Sequence, residues 1–282
     1  MTTDMSLKLP SLPHGCASLR WLGQMGLLVQ IGSTLLCIDY YGAETGGRNY
    51  PPPIPGADVR GVDAFLGTHN HSDHMDHISW KIWKDTCPEA KFLCPKVHVS
   101  DTLMDGIPES RIIGMDDLVS VQIGDVTVTA IPAAHEFLAQ DPESGAYPCL
   151  QYILEGNGVR IWHAGDTLRY EGMLGRIRAF GHMDAALLPI NGRDAARYRR
   201  NCIGNMTFQE AVDLAGEVNP GCVIPGHWDL FADNPGDPQA FRDYLEAKYP
   251  SLRCLLPERM AKVLIRSQEE TAPQAAGEQC AI

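Results

Sequence analysis

The chain has 282 residues, 44% of them hydrophobic and 21% charged, with a formal net charge of -12 at pH 7. This is the composition of an ordinary soluble globular protein, long enough to bury one large core or two modest ones. The acidic balance argues against a nucleic-acid polyanion as partner, but a local basic pocket could still take an anionic small molecule.

The nine cysteines are odd in number, scattered and without a C-x-x-C pair, so they read as reduced thiols. There is no charged-then-apolar signal pattern and no apolar run long enough for a membrane span. A cytoplasmic location is expected, and a homo-oligomer is compatible with the composition.

Residues 1–15 form an irregular lead-in with Pro10 and Pro13. Strands are predicted over 18–23, 27–31 and 35–39, with Gly32-Ser33 as the second turn. Asp39 closes an apolar strand, where it either hydrogen-bonds a ligand loop or fixes a turn. Residues 41–60 carry Gly46-Gly47, Pro51-Pro52-Pro53 and Pro55, which exclude a helix or central strand. A loop of this length is either a lid or substrate wall, offering Tyr40, Tyr41 and Arg48, or passive surface.

Residues 62–67 read as a short buried strand, and 78–84 have the apolar spacing of a helix. Further on, strands are expected at 91–94 and 111–113, with a short helix at 101–105. Two hairpins turn at Gly124-Asp125 and at Gly156-Asn157-Gly158. Residues 185–189 are a buried strand. Thr207-Phe208-Gln209-Glu210 is a capping box opening a helix that Asn219-Pro220-Gly221 stops. A strand at 222–225, a helix begun by Asp237-Pro238 and a strand near 261–265 complete the chain. Residues 1–266 are expected to form one domain and 267–282 a flexible tail.

Between the strand at 62–67 and its helix lies Thr68-His69-Asn70-His71-Ser72-Asp73-His74-Met75-Asp76-His77. Three imidazoles and a carboxylate within six residues are costly to crowd together unless something binds them, and both groups are ligands for divalent metals. Elsewhere an apolar strand again runs straight into a His or Asp: His135, Asp166 and His227. Ligands at the ends of several strands can converge on one rim. The donors are then His69, His71, His74, His135 and His227 with Asp73 and Asp166. Seven suit two ions about 3.5–4 Å apart, with Asp166 as the natural bridge because its preceding Ala-Gly allows close approach. Such a pair brings a bound water to a pKa of about 7, and the resulting hydroxide attacks a carbonyl or phosphorus while Asp73, or a water it orients, shuttles the proton. His163 reads as a supporting or core histidine, and His14, His98 and His182 show no pattern. No H-E-x-x-H, G-x-S-x-G or phosphate-binding glycine loop occurs, and Gly23-Gln24-Met25-Gly26 is too poor a match for a dinucleotide fingerprint.

The H-x-H-x-D-H stretch resembles the signature of the metallo-β-lactamase superfamily, in which the first two His bind one metal and the Asp-His pair a second. His77 stands where that superfamily often has a small or apolar residue. The resemblance implies a four-layer αβ/βα sandwich with the metal site at one end, and a hydrolase.

A second stretch narrows the substrate. Leu188-Pro189-Ile190-Asn191-Gly192-Arg193 leads through Arg197-Tyr198-Arg199-Arg200 to Asn205-Met206-Thr207, and after a helix comes Pro225-Gly226-His227-Trp228-Asp229. This run resembles the L-ascorbate-6-phosphate lactonases. The resemblance implies a manganese- or zinc-dependent enzyme opening the lactone of a phosphorylated sugar acid. Four arginines in 193–200 are unusual for so acidic a chain, and Arg captures phosphate or carboxylate bidentately. Arg193 and Arg200 are the candidate substrate contacts, Arg197 and Arg199 a solvated helix face. Asn191 and Asn205 would orient the loop or substrate, and Trp228 would wall the pocket or sit in the core. A phosphodiesterase of the same fold and a non-catalytic metal-stabilised binding protein are the rival readings.

Overall fold

The computed structural model describes residues 7–267. Of the tail expected over 267–282, only Ser267 falls within the described residues; it donates its N–H to Gly15 O.

The chain opens as a meander of β1 (Cys16–Gly23), β2 (Gly26–Ile31) and β3 (Thr34–Ile38). Three parallel strands join β3 in turn: β4 (Ala64–Leu66), β5 (Lys91–Pro95) and β6 (Ile112–Met115). The last strand, β13 (Lys262–Arg266), pairs back on β1. The second sheet starts with a hairpin of β7 (Ser120–Ile123) and β8 (Val126–Pro132). β9 (Leu150–Gly156) and β10 (Val159–His163) follow as a hairpin whose two-residue turn, Asn157-Gly158, has positive φ at both positions, as the tightest hairpin turn requires. Two parallel strands, β11 (Ala185–Pro189) and β12 (Val223–Gly226), complete it.

The sheets run β13-β1-β2-β3-β4-β5-β6 and β12-β11-β10-β9-β8-β7. They face each other across one apolar cluster that includes Leu27, Val29, Leu66, Val128, Tyr152 and Leu187. On the outer face of the first sheet lies α1 (His77–Thr86), which buries Trp80 and Trp83 against Phe65 and Phe92. α2 (Val99–Met104) lies beside β6. On the outer face of the second sheet, α3 (Met173–Arg178), α5 (Phe208–Val218) and α6 (Pro238–Lys248) close another cluster around Trp162 and Phe241. The order helix, sheet, sheet, helix is the four-layer αβ/βα sandwich.

The capping box of α5 is present, with Thr207 and Glu210 bonding each other's backbone N–H, and Asn219 closes the helix in the left-handed region. α3 is an addition to the predicted elements. Its N-cap is a left-handed Gly172 without a capping side chain, so its start has no sequence signature. The arginine stretch contains the five-residue α4 (Ala195–Arg199), capped by Asp194.

Strand direction places the site. Because β8 and β10 are both antiparallel to β9, they run the same way as β11 and β12. The C-terminal ends of β8, β10, β11 and β12 therefore share one edge, as those of β3 and β4 do in the facing sheet.

Candidate metal centre

Six chain segments deliver polar groups to that rim. β4 runs through Gly67-Thr68 into His69, His71, Asp73 and His74 before α1 begins; β8 leads to His135, β10 to Asp166 and β12 to His227. β3 contributes Asp39 and β11 leads to Asn191. Three overlapping groups of donor atoms form: His69, His71 and His135; His69, His74 and Asp166; Asp73, His74 and His227.

The spacing within these groups is that of ligands around an ion. Tetrahedral bonds of about 2.0–2.1 Å put neighbouring ligand atoms about 3.4 Å apart. In the first cluster His71 Nδ1 lies 2.9 Å from His69 Nε2 and 3.3 Å from His135 Nε2. In the second, His74 Nε2 lies 3.5 Å from Asp73 Oδ2 and 3.4 Å from Asp166 Oδ1. His227 Nε2 lies 2.9 Å from Asp166 Oδ2 and 3.7 Å from Asp73 Oδ2. Asp166 Oδ2 is also 3.8 Å from His135 Nε2, so this one carboxylate touches both clusters. His74 Nε2 and Asp166 Oδ1 are fully buried and have no hydrogen-bond partner. Buried polar atoms are rarely left so, and a divalent ion would satisfy both. The donor set fits one, or two, such ions.

Asp39 orients the ligands. Its backbone is left-handed, with φ +46°, and its carboxylate is buried. Oδ1 accepts the Thr68 N–H at 2.8 Å, while Oδ2 accepts the Thr68 hydroxyl and His74 Nδ1, each at 2.7 Å. With its hydroxyl proton given to Asp39, Thr68 Oγ1 accepts from His69 Nδ1 at 3.1 Å. Both imidazoles thus carry their proton on Nδ1 and turn Nε2 inward, the arrangement in which an outer carboxylate fixes a metal-ligating tautomer. Of the two roles open for Asp39 in the sequence, the structure shows the ligand-orienting one.

His163 acts one layer further out. Its Nε2 donates to Met25 O at 2.8 Å and its Nδ1 accepts the Gly165 N–H at 3.2 Å. Gly165 itself has φ +57°, and a Cβ there would lie 2.7 Å from Leu150 O and 3.0 Å from Thr68 Cβ. Only glycine lets the turn pass so close to the ligand loop and present Asp166. His77 belongs to none of the three donor groups: its ring nitrogens meet Asp105 Oδ2 and, at 2.7 Å, Asn70 Oδ1.

The electrostatics of the two clusters differ. Burial, reinforced by the neighbouring imidazoles, holds His69 well below its usual range and lowers His71. Burial also takes His135 down to about 4. These rings are neutral at pH 7, the form that binds a metal. For His74 and His227 burial acts downward too, but Asp166 and Asp73 outweigh it and both are raised. The carboxylates show the reciprocal effect. Burial pushes Asp73 and Asp166 upward, yet the adjacent His74 and His227 bring both below the ordinary carboxylate range.

The remaining predicted site residues are engaged with one another and with neighbouring groups. Asn205 Nδ2 donates to Asn191 Oδ1 at 3.1 Å, and Asn191 Nδ2 donates to Asn234 Oδ1 at 3.0 Å, a buried amide ladder whose Asn205 Oδ1 has no partner. Arg193 grips Glu210 bidentately at 2.6 and 2.7 Å, and Arg200 donates to Asp233 O at 2.8 Å. Trp228 stacks on Trp21 with centroids 5.3 Å apart and packs on the apolar clusters of both faces of the second sheet. One residue that the sequence leaves without a role is Asp76. It caps α1 through the N–H groups of Ile78 and Ser79, and its other oxygen accepts from Gly42 and Ala43. The Pro-rich loop is thereby tied to the ligand turn at its start, and Asn49 N–H reaches Leu230 O just beyond His227. An Asp two residues before a helical run is an N-cap signal; its second pair of bonds has no local signature.

A four-layer sandwich with histidine–aspartate clusters at its strand ends defines a metal-dependent hydrolase of the metallo-β-lactamase fold. The chain belongs to the beta-lactamase superfamily: the Beta-lactamase superfamily domain matches it over residues 39–228. It is 23% identical over 279 residues to the Probable L-ascorbate-6-phosphate lactonase UlaG of Escherichia fergusonii, covering 85% of this chain and 77% of that protein. It is 28% identical over 228 residues to a UPF0173 protein of Pyrococcus furiosus, covering 81% of this chain and 90% of the other. Among solved structures it superposes on Igni18, a metallo hydrolase of Ignicoccus hospitalis, with a TM-score of 0.70 at 21% identity, over 88% of this chain and 98% of that one. Among the described residues no helix is long and apolar enough to cross a membrane.

Proposed function

We propose that the chain opens the lactone of a phosphorylated sugar acid, a substrate such as L-ascorbate 6-phosphate, using two divalent ions, Mn²⁺ or Zn²⁺. The observation that carries the hydrolytic part is the buried pair His74 Nε2 and Asp166 Oδ1, unpartnered and at ligand spacing. Support for the substrate class comes from the likeness to the probable lactonase over most of the chain and from the lactonase-like stretch 188–232. Its partner is then an anionic small molecule, and the cytoplasm its compartment.

Bound in the two clusters, the ions would supply Lewis-acid polarisation of the oxygen that gains charge and a nucleophilic water ionised near neutral pH. The chain's own groups do the rest. His69, His71 and His135 would hold one ion, Asp73, His74 and His227 the other, with Asp166 between them. Asp39 and Thr68 hold the first ring proton of His74 and of His69 on Nδ1, so that Nε2 is the nitrogen left for an ion. Asp73, held ionised, is the proposed proton acceptor. Asn191 and Asn205 are the proposed orienting groups for the sugar acid, with Asn205 Oδ1 open to a hydroxyl donor, and Trp228 is the proposed wall. Arg193 and Arg200 are the proposed contacts for its anionic group. The net reaction adds one water across the acyl C–O bond and releases a hydroxy acid.

A hydrolysis panel tests this: sugar-acid lactones, with and without phosphate, phosphodiesters and thioesters, with Mn²⁺- and Zn²⁺-loaded protein. The proposal expects the phosphorylated lactone to turn over fastest. Phosphodiester cleavage without lactone opening would replace it with the phosphodiesterase reading.

A further inference from the structure

The tight turn between β1 and β2, Gly23-Gln24-Met25-Gly26, belongs to none of the ligand segments, yet it lies against them. Gln24 is 3% exposed and left-handed, with φ +54°. Its backbone is held on one side by Asp229, whose Oδ1 accepts the Gln24 N–H at 2.8 Å. Asp229 is itself fixed by Arg259, which donates to Oδ2 at 2.8 Å and stacks on Tyr50 at 3.6 Å. On the other side Gln24 O accepts the backbone N–H of His227 at 3.0 Å. The next carbonyl, Met25 O, accepts from His163. The turn sits so tightly on this ligand that a Cβ on Gly226 would lie 3.0 Å from Gln24 O and 2.6 Å from Met25 Sδ.

The side chain then enters the second cluster. Gln24 Nε2 lies 2.9 Å from Asp73 Oδ2 and 3.1 Å from His227 Nε2. An ionised carboxylate is acceptor-only, so the amide must present its NH₂ and not its oxygen to Asp73. A carboxylate oxygen has a second lone pair, which stays available to an ion while the first accepts this hydrogen bond.

We propose that Gln24 is a positioning residue of the Asp73–His74–His227 metal site: its carboxamide sets the Asp73 carboxylate and its carbonyl sets the left-handed backbone of His227. Two ligands from different sheets, 154 residues apart (227 − 73), are thereby referenced to one turn. The inference rests on the two-ion reading of the site. Outer partners of this kind typically contribute about 10–100-fold in metal affinity. The loss should fall on the second ion, because Gln24 touches no member of the His69–His71–His135 group.

The test is a metal titration of the stripped full-length protein against a competing chelator, counting Zn²⁺ or Mn²⁺ bound per chain. Gln24→Met keeps the length and removes the donor; Gln24→Glu keeps the shape and replaces the donor by a carboxylate. Wild-type protein is expected to bind two ions. Both variants should bind the first ion as wild type does and the second about 10–100-fold more weakly. Circular dichroism and thermal melts of the stripped proteins check folding, and the Co²⁺-loaded absorption spectrum should change in the second equivalent only. Two ions bound by both variants with wild-type affinity would overturn the proposal and leave the two-ion reading standing. A second ion held with wild-type affinity by Gln24→Met alone would also overturn it, because the amide donor would then be dispensable. Binding of a single ion by the wild type would overturn both the proposal and the reading beneath it.

Discussion

Replacing Asp39 by Asn isolates the tautomer argument. The substitution conserves size, and Asn is among the residues that tolerate the φ of +46° found here, so the backbone should be unstrained. The hydrogen-bond pattern changes, and one negative charge beside His74 is lost. Asp39 accepts three hydrogen bonds, from Thr68 N, Thr68 Oγ1 and His74 Nδ1. An amide cannot accept all three. With its oxygen toward Thr68 N–H, its NH₂ faces His74 Nδ1 and drives the ring proton to Nε2, the atom that should bind the ion. With the amide turned over, NH₂ meets the Thr68 N–H and leaves a buried donor unsatisfied, which costs about 1–3 kcal/mol. The first orientation weakens the second cluster by about 10–100-fold in metal affinity, or about 1.4–2.8 kcal/mol, whereas the second costs folding stability instead. Chelator competition on stripped protein measures it, with a thermal melt as the folding control. Asp39→Asn protein that bound both ions with wild-type affinity and also melted at the wild-type temperature would refute the tautomer argument.

Two further outcomes follow from the same geometry. Metal uptake should tighten as pH rises. His74 and His227 have raised pKa values, so the stripped protein holds protons there that an incoming ion must displace. The dependence should therefore continue above the ordinary His value of 6.5, with protons released on loading into weakly buffered solution; affinity flat above that pH would contradict it. Arg193→Ala should cost only about 0.2–1 kcal/mol of stability, since its partner Glu210 is partly exposed and retains its bond to the Thr207 N–H. Denaturant unfolding reads this, and a loss of several kcal/mol would mean that the pair is worth far more than its exposure allows.

Much of the centre was legible because its chemistry is dense. His69 to His74 crowd four donors into one turn, and His135, Asp166 and His227 each follow an apolar strand directly. Parallel strands then bring those ends to one edge, so order in sequence became proximity in space. What was not legible depends on partners far along the chain. The carboxylate of Asp39 could be assigned a role only once Thr68 and His74 were seen beside it. The pairing of Arg193 with Glu210, the capping-box residue of a helix 17 positions on, has no signal in the arginine cluster itself. Gln24 had only an uninformative glycine-flanked turn around it, because its partners lie 49 and 203 residues away. α3 lacked a capping signature altogether.

The central claim is that one rim of the sandwich holds two ions bridged by Asp166. Anomalous diffraction from crystals loaded with Zn²⁺ or Mn²⁺ tests it directly. Two peaks are predicted on either side of the Asp166 carboxylate, one coordinated by His69, His71 and His135 and the other by Asp73, His74 and His227. A single peak at full loading, or peaks remote from Asp166, would contradict it.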